Sequence, residues 1–141
     1  MLSQKCKYAI RAVLYLSKNA SEENKLGVKD VAGTLNLPQA FTAKILQELA
    51  RKNIVMSNKG PGGGFFLTNE NKNKTLYHII EAIDGDDFFV SCGLGLHVCS
   101  DRNPCPLHND FKKWRESLHK KFSKIKILQI QQILDKDNIR L

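Results

Sequence analysis

Apolar residues recur at helical spacing over most of the chain, and the polar breaks between them mark out the elements. Ala9, Ile10, Ala12, Val13, Leu14 and Leu16 cover much of a helical circumference. With Ser3 as an N-cap, they predict a helix over 3–18 that is buried on more than one side. Residues 19–27 are polar and read as a loop. Val28, Val31, Ala32 and Leu35 share one face of a short helix over 28–35. Asn36-Leu37-Pro38 breaks it, because a proline disfavours helical backbone before it and suits the first turn of the next helix. That next helix runs over 39–52. Phe41, Ile45, Leu46 and Leu49 form its apolar side, while Gln39, Ala40, Thr42, Ala43 and Gln47 are assigned outward and Lys44 to the boundary.

Beyond Asn53 the period changes. Residues 54–58 and 65–68 read as two short strands, joined by Lys59-Gly60-Pro61-Gly62-Gly63-Gly64. Four glycines and a proline permit a tight turn with positive φ. Residues 70–74 form a polar linker. Thr75 caps a helix to about Asp84, with Leu76, Ile79, Ile80 and Ile83 on its stripe and Gly85 at its end. Residues 86–90 lead into a loop, 91–108. A long helix follows, with Phe111, Trp114, Leu118, Phe122 and Ile125 as a narrow apolar stripe among charges. A short apolar helix carries Ile127, Leu128, Ile130, Ile133 and Leu134, and residues 135–141 are expected to fray. The expected fold is mainly α with a small β-hairpin wing: a winged helix-turn-helix plus a long C-terminal dimerisation helix. One domain of 1–141 divides into a DNA-binding part (1–70), a connecting helix (75–90), the loop (91–108) and the dimerisation helix with its tail (109–141).

A short helix, a tight turn and a longer helix read either as a plain helical hairpin or as a helix-turn-helix whose second helix enters a DNA major groove. The hairpin that follows favours the second, because its glycine-rich tip can approach a minor groove with Lys59 as the cation. Gln pairs with adenine, and Thr or small side chains meet a thymine methyl. The candidate DNA contacts are therefore Gln39, Ala40, Thr42, Ala43, Lys44, Gln47, Lys59, Gly60, Pro61, Gly62 and Gly63. A nucleotide-binding loop is a poor match, since the Gly-x-x-x-x-Gly-Lys-Ser/Thr order is absent. Lys5, Lys7 and Arg11 either reach phosphates or form a solvated rim.

The 141 residues carry a net charge of +8. It is unevenly spread. Residues 1–70 hold ten Lys/Arg against five Asp/Glu, residues 71–110 three against six, and residues 111–141 nine against three. The basic flanks suit a polyanion. No apolar run approaches the roughly 18 residues of a membrane span, and no signal-peptide core follows the first residues, so a cytoplasmic protein is expected.

The candidate chemistry lies in the loop. Cys92, Cys99 and Cys105 stand there, followed by His108, among Gly93, Gly95, Pro104 and Pro106. Three thiols and an imidazole are good ligands for a soft metal or an iron–sulfur cluster. Structural zinc and a cluster-free thiol switch are the alternatives. His97 is the second choice for the imidazole. Cys6 is read as a small buried side chain, and His78 and His119 as surface or packing residues. No orienting acid or oxyanion site accompanies Cys105 and His108, so an enzyme is not expected.

Three features together carry a resemblance: Lys7-Tyr8-Ala9 in the first helix, the wing from Gly60 to Phe65, and three cysteines ahead of a long helix. On these the chain resembles the Rrf-two family of winged-helix transcriptional regulators, in its IscR-like iron–sulfur branch. The resemblance implies a homodimeric DNA-binding repressor or activator with its long helices crossed at the interface. It implies a 2Fe–2S cluster on Cys92, Cys99, Cys105 and His108, with 4Fe–4S or zinc as alternatives, sensing iron–sulfur status, redox state or nitric oxide. RNA polymerase is a further candidate partner. In another branch an acidic residue of the partner's first helix completes the site, but Lys7 and Tyr8 stand there in this chain. The first cysteine gap holds six residues where the IscR-like branch has five. Ala43 replaces an acidic residue and Lys59 an arginine, and lysine lacks the planar fork of arginine.

Overall fold

The computed structural model describes residues 2–96 and 100–141. Its centre is the first helix, α1 (Gln4–Asn19). Ser3 caps it by accepting from the Cys6 N–H at 3.0 Å. Cys6, Ala9, Val13 and Leu16 are wholly buried, and α1 packs on four other helices, as its broad apolar circumference requires.

Next come α2 (Val28–Leu35) and α3 (Gln39–Arg51). Asn36 turns left-handed at φ 53° to end α2, and the Leu37 N–H reaches back to the Ala32 carbonyl at 2.8 Å. Asn53, at φ 58°, ends the α3 segment in the same manner. Val31, Leu35, Ile45, Leu46 and Leu49 close the core between these helices and α1. Arg11 donates to the Leu35 carbonyl at 2.8 Å and Lys5 pairs with Glu48 at 2.5 Å. Two of the three candidate phosphate contacts on α1 are therefore held within the fold.

The wing is shorter than the pattern predicts. Strands β1 (Met56–Asn58) and β2 (Gly64–Phe66) pair antiparallel, with Met56 opposite Phe66. Ile54 and Val55 are buried in the core instead, so the strand starts only at Met56. The free edge of β2 is covered by Leu26, which exchanges backbone hydrogen bonds with Phe65 at 3.1 and 2.7 Å. Here glycine is obligatory. A Cβ on Gly64 would lie 2.7 Å from the Leu26 carbonyl oxygen, at a φ of +147°. Gly64→Ala is expected to destabilise the protein by about 1–3 kcal/mol. A urea-denaturation midpoint equal to that of the unaltered protein would contradict this close approach.

The expected linker 70–74 contains a short helix, α4 (Asn69–Lys72), capped by Thr68. Its Asn71 is buried and donates to the Asn53 carbonyl at 3.0 Å. Then come α5 (Leu76–Asp84), ended by Gly85 at φ 67°, and a short α6 (Asp87–Val90). After the loop, α7 (His108–Phe122) and α8 (Ile127–Lys136) complete the chain. The long helix thus stops before Ile125, whose carbonyl accepts from the Leu76 N–H at 3.0 Å. The Ile127 N–H donates to Lys74 at 2.9 Å. Backbone pairing with the start of α5 replaces further helix there. Ile127 is fully buried, and α8 packs on α1.

Candidate metal centre and nucleic-acid interface

The outward face of α3 begins with its sequence period. Gln39, Ala40, Lys44 and Gln47 are exposed and Ala43 is half-buried. Thr42 is not on this face. It is 1% exposed, and its hydroxyl donates to the Pro38 carbonyl at 2.8 Å. Thr42 precedes Ile45, Leu46 and Leu49 by three, four and seven residues, so it belongs to the apolar stripe. A thymine contact from Thr42 is therefore excluded. At the wing tip Lys59, Gly60, Pro61 and Gly62 are exposed, and the Gly63 N–H closes the turn onto Gly60 at 2.9 Å. A Cβ on Gly63 would meet the Asn58 carbonyl at 2.3 Å, so this position serves the turn's geometry.

The thiol loop joins α6 to α7. Cys92 and Cys105 are half-buried, while His108 is 5% exposed at the first position of α7. Its backbone N–H donates to the Cys105 carbonyl at 2.9 Å. Cys99, and His97 as the second-choice imidazole, lie outside the described residues. Among the described residues no three Cys, His, Asp or Glu side chains form a metal-sized group. Thiolates with an imidazole nonetheless suit iron–sulfur ligation in their donor chemistry.

Arg115 organises the surroundings. Read from the pattern as one charge on a polar face, it is in fact 7% exposed, and its Nη1 donates to the Ser91 carbonyl at 2.7 Å. Two of the cavities it lines border the loop. One, of about 540 Å³, also holds Cys92, Ser3, Asp84, Phe88 and Trp114. The other, of about 440 Å³, holds Ser100, Asp101, His108, Lys112 and Glu116. Gly93 packs so tightly on Phe111 that a Cβ would lie 2.5 Å from the ring. The loop is thereby held close to α7 at Gly93.

Asp101 is a residue that sequence reasoning missed. Its Oδ1 lies 2.9 Å from His108 Nε2, and Lys112 Nζ donates to both carboxylate oxygens at 2.9 Å. The Lys112 hydrogen bonds, followed by His108, hold the Asp101 carboxyl below its usual range. Asp101 in turn raises Lys112. On α5, Tyr77 donates to Asp86 at 2.6 Å and is pushed up to about 12, mainly by that bond. His119 packs edge-on against Tyr77 and Phe89, which agrees with a packing role. His78 is exposed, and its Nδ1 accepts from the Thr75 N–H at 3.0 Å.

Cys6 stands apart from the loop. Burial first, then the nearby Asp84 carboxylate, pushes its thiol up to about 12. At pH 8 about one molecule in ten thousand would carry the thiolate, the reactive form. In reduced, metal-free protein, iodoacetamide is expected to label Cys92 and Cys105 and to spare Cys6 until the fold is lost. Mass spectrometry showing equal labelling of Cys6 in the native state would contradict its burial.

For the proposed helical seam, Trp114 is 46% exposed, whereas Phe111, Leu118, Phe122 and Ile125 are half-buried within the single chain. Phe122 stacks edge-on with Phe89 at 6.2 Å, and Trp114 with Phe88 at 6.0 Å. No helix among the described residues is long and apolar enough to cross a membrane.

A helix-turn-helix with a two-stranded wing, followed by a thiol loop and further helices, defines a winged-helix DNA-binding regulator. The Rrf2 profile, described as an iron-dependent transcriptional regulator, matches residues 2–133, and the chain belongs to that family. It is 35% identical over 118 residues to an HTH-type transcriptional regulator of Aquifex aeolicus, covering 82% of this chain and 78% of that one. It is 25% identical over 137 residues to the regulator IscR of Klebsiella pneumoniae, covering 95% and 83%. Among solved structures, CymR, the global cysteine regulator of B. subtilis, superposes with a TM-score of 0.75 at 20% identity, covering 94% and 97%. The family and these relatives are transcriptional regulators, not enzymes.

Proposed function

We propose that this transcriptional regulator works as a homodimer whose affinity for a promoter is set by an iron–sulfur cluster on Cys92, Cys99, Cys105 and His108. The observation that carries the reading is the buried imidazole of His108 at the start of α7, joined by its backbone to Cys105. A change at the loop would act directly on the helix that bears Trp114. The family's description as iron-dependent supports the same reading. When bound, the cluster would supply a redox- and iron-sensitive group. The chain's own part is to present thiolates and a neutral imidazole, to seat them beside Arg115, and to pass loop order to α7. Gln39, Ala40, Ala43, Lys44 and Gln47 would face the major groove, and Lys59, Gly60, Pro61, Gly62 and Gly63 the minor groove. The protein would act in the bacterial cytoplasm, as a repressor or an activator, with RNA polymerase a candidate partner.

The second reading is a cluster-free thiol switch, favoured by the partial exposure of Cys92 and Cys105. Anaerobic purification with iron, sulfide and zinc analysis separates the readings. Coloured protein with iron and acid-labile sulfide, reduced in the His108→Ala variant, is expected. Colourless protein without iron would contradict the cluster, and stoichiometric zinc would replace it with a structural site.

A further inference from the structure

The contact between Asp101 and His108 has no counterpart in the proposed ligand set. Asp101 lies in the loop, between Cys99 and Cys105, and its side chain is 71% exposed. An exposed carboxylate ordinarily remains solvated and mobile. This one is gripped on both oxygens by Lys112, one helical turn beyond His108 on the same helix. The grip fixes it 2.9 Å from Nε2 of an imidazole that is 6% exposed. An ionised carboxylate only accepts hydrogen bonds, so the proton in this bond belongs to Nε2. A neutral imidazole carries one ring proton, and with that proton on Nε2 the lone pair is on Nδ1.

Resting on the cluster reading above, we infer that Asp101 is a positioning residue for His108: it holds the Nε2–H tautomer, so that Nδ1 is the nitrogen offered to the cluster, and Lys112 holds Asp101. Histidines that bind metals commonly donate their other N–H to a carboxylate, which orients the ring and raises its basicity. Here that carboxylate lies in the loop itself, between Cys99 and Cys105. The placement of the loop on α7 and the presentation of the imidazole are therefore one event. Asp101 is exposed and outside the core, so its replacement tests positioning and not folding.

Two measurements decide the matter. In cluster-free protein with ¹⁵N-labelled histidine, the imidazole shifts of His108 should report Nε2–H. Asp101→Asn, whose amide can donate as well as accept, should move the population toward Nδ1–H, and Lys112→Met should move it part of the way. In cluster-loaded protein challenged with a chelator, Asp101→Asn should shorten the lifetime of the visible absorption about 10- to 100-fold, and Asp101→Glu should restore part of it. A wild type found in the Nδ1–H form overturns the inference, as does Asp101→Asn protein that keeps its cluster as long as the wild type. A wild type that never acquires a cluster defeats the functional reading, and the tautomer measurement still decides whether Asp101 holds His108.

Discussion

Cys105→Ser is expected to give a folded protein that retains no cluster and binds DNA as the stripped wild type does. Cys105 is half-buried in a loop, so the exchange removes a soft ligand without opening the core. A serine hydroxyl stays protonated near neutral pH and is a poor ligand for iron–sulfur iron. The effect on DNA is bounded by the coupling between sites, typically 1–3 kcal/mol, or about 5- to 150-fold in affinity. Cluster content is read from absorption and sulfide analysis, and affinity from anisotropy under the same anaerobic conditions. A Cys105→Ser protein with full iron and sulfide content would remove this residue from the ligand set.

Trp114→Asp is expected to have the other large effect, on assembly. Of the nine large hydrophobic side chains exposed among the described residues, Val90, Leu94, Leu96, Leu107 and Trp114 fall between the end of α6 and the middle of α7. Under the proposed homodimer, this exposed apolar stretch is where the partner would lie. Trp114 is the largest of them, and a central tryptophan typically carries 2 kcal/mol or more of binding energy. A buried carboxylate in its place should weaken self-association by about 2–4 kcal/mol, roughly 30- to 900-fold. Sedimentation velocity should show monomers at micromolar concentration, and affinity for a two-half-site duplex should fall with it. A variant that sediments as the wild type would move the seam elsewhere.

Much of this architecture is readable from local pattern. The bounds of α2 and α5 agree with their apolar periods, and those of α1 and α3 agree within a residue or so. Three of them, α2, α3 and α5, have a nearby stop at Asn36, Asn53 and Gly85. The family resemblance is borne out, as are the winged-helix fold and the expectation of a regulator and not an enzyme. The errors at Ile125 and at Ile54 and Val55 share one cause, which is that partners distant in sequence decide the outcome; the error at Thr42 is one of local period. Thr42 was assigned outward for its chemistry, although its spacing from Ile45 and Leu49 places it inward. Ile125 has the right spacing for the stripe, but its carbonyl serves Leu76. Ile54 and Val55 suit a strand, yet the core claims them.

The site was legible only in its donors. Three thiols and a following histidine stand out in any reading of the chain. Asp101 and Arg115 do not, because neither has a periodic relation to its partner. Asp101 meets His108 across a proline-containing loop, and Arg115 meets Ser91 across 24 residues. Both contacts depend on how the loop lies on α7, which no local rule encodes.

The central claim is that the state of the loop sets the affinity for DNA. The most direct measurement compares cluster-loaded and stripped protein, anaerobically, on a duplex enriched from a random pool by the loaded form. An affinity that changes at least about 5-fold on stripping, and returns on reconstitution, is the predicted result. Equal affinities for the two forms, both dimeric, would contradict the account.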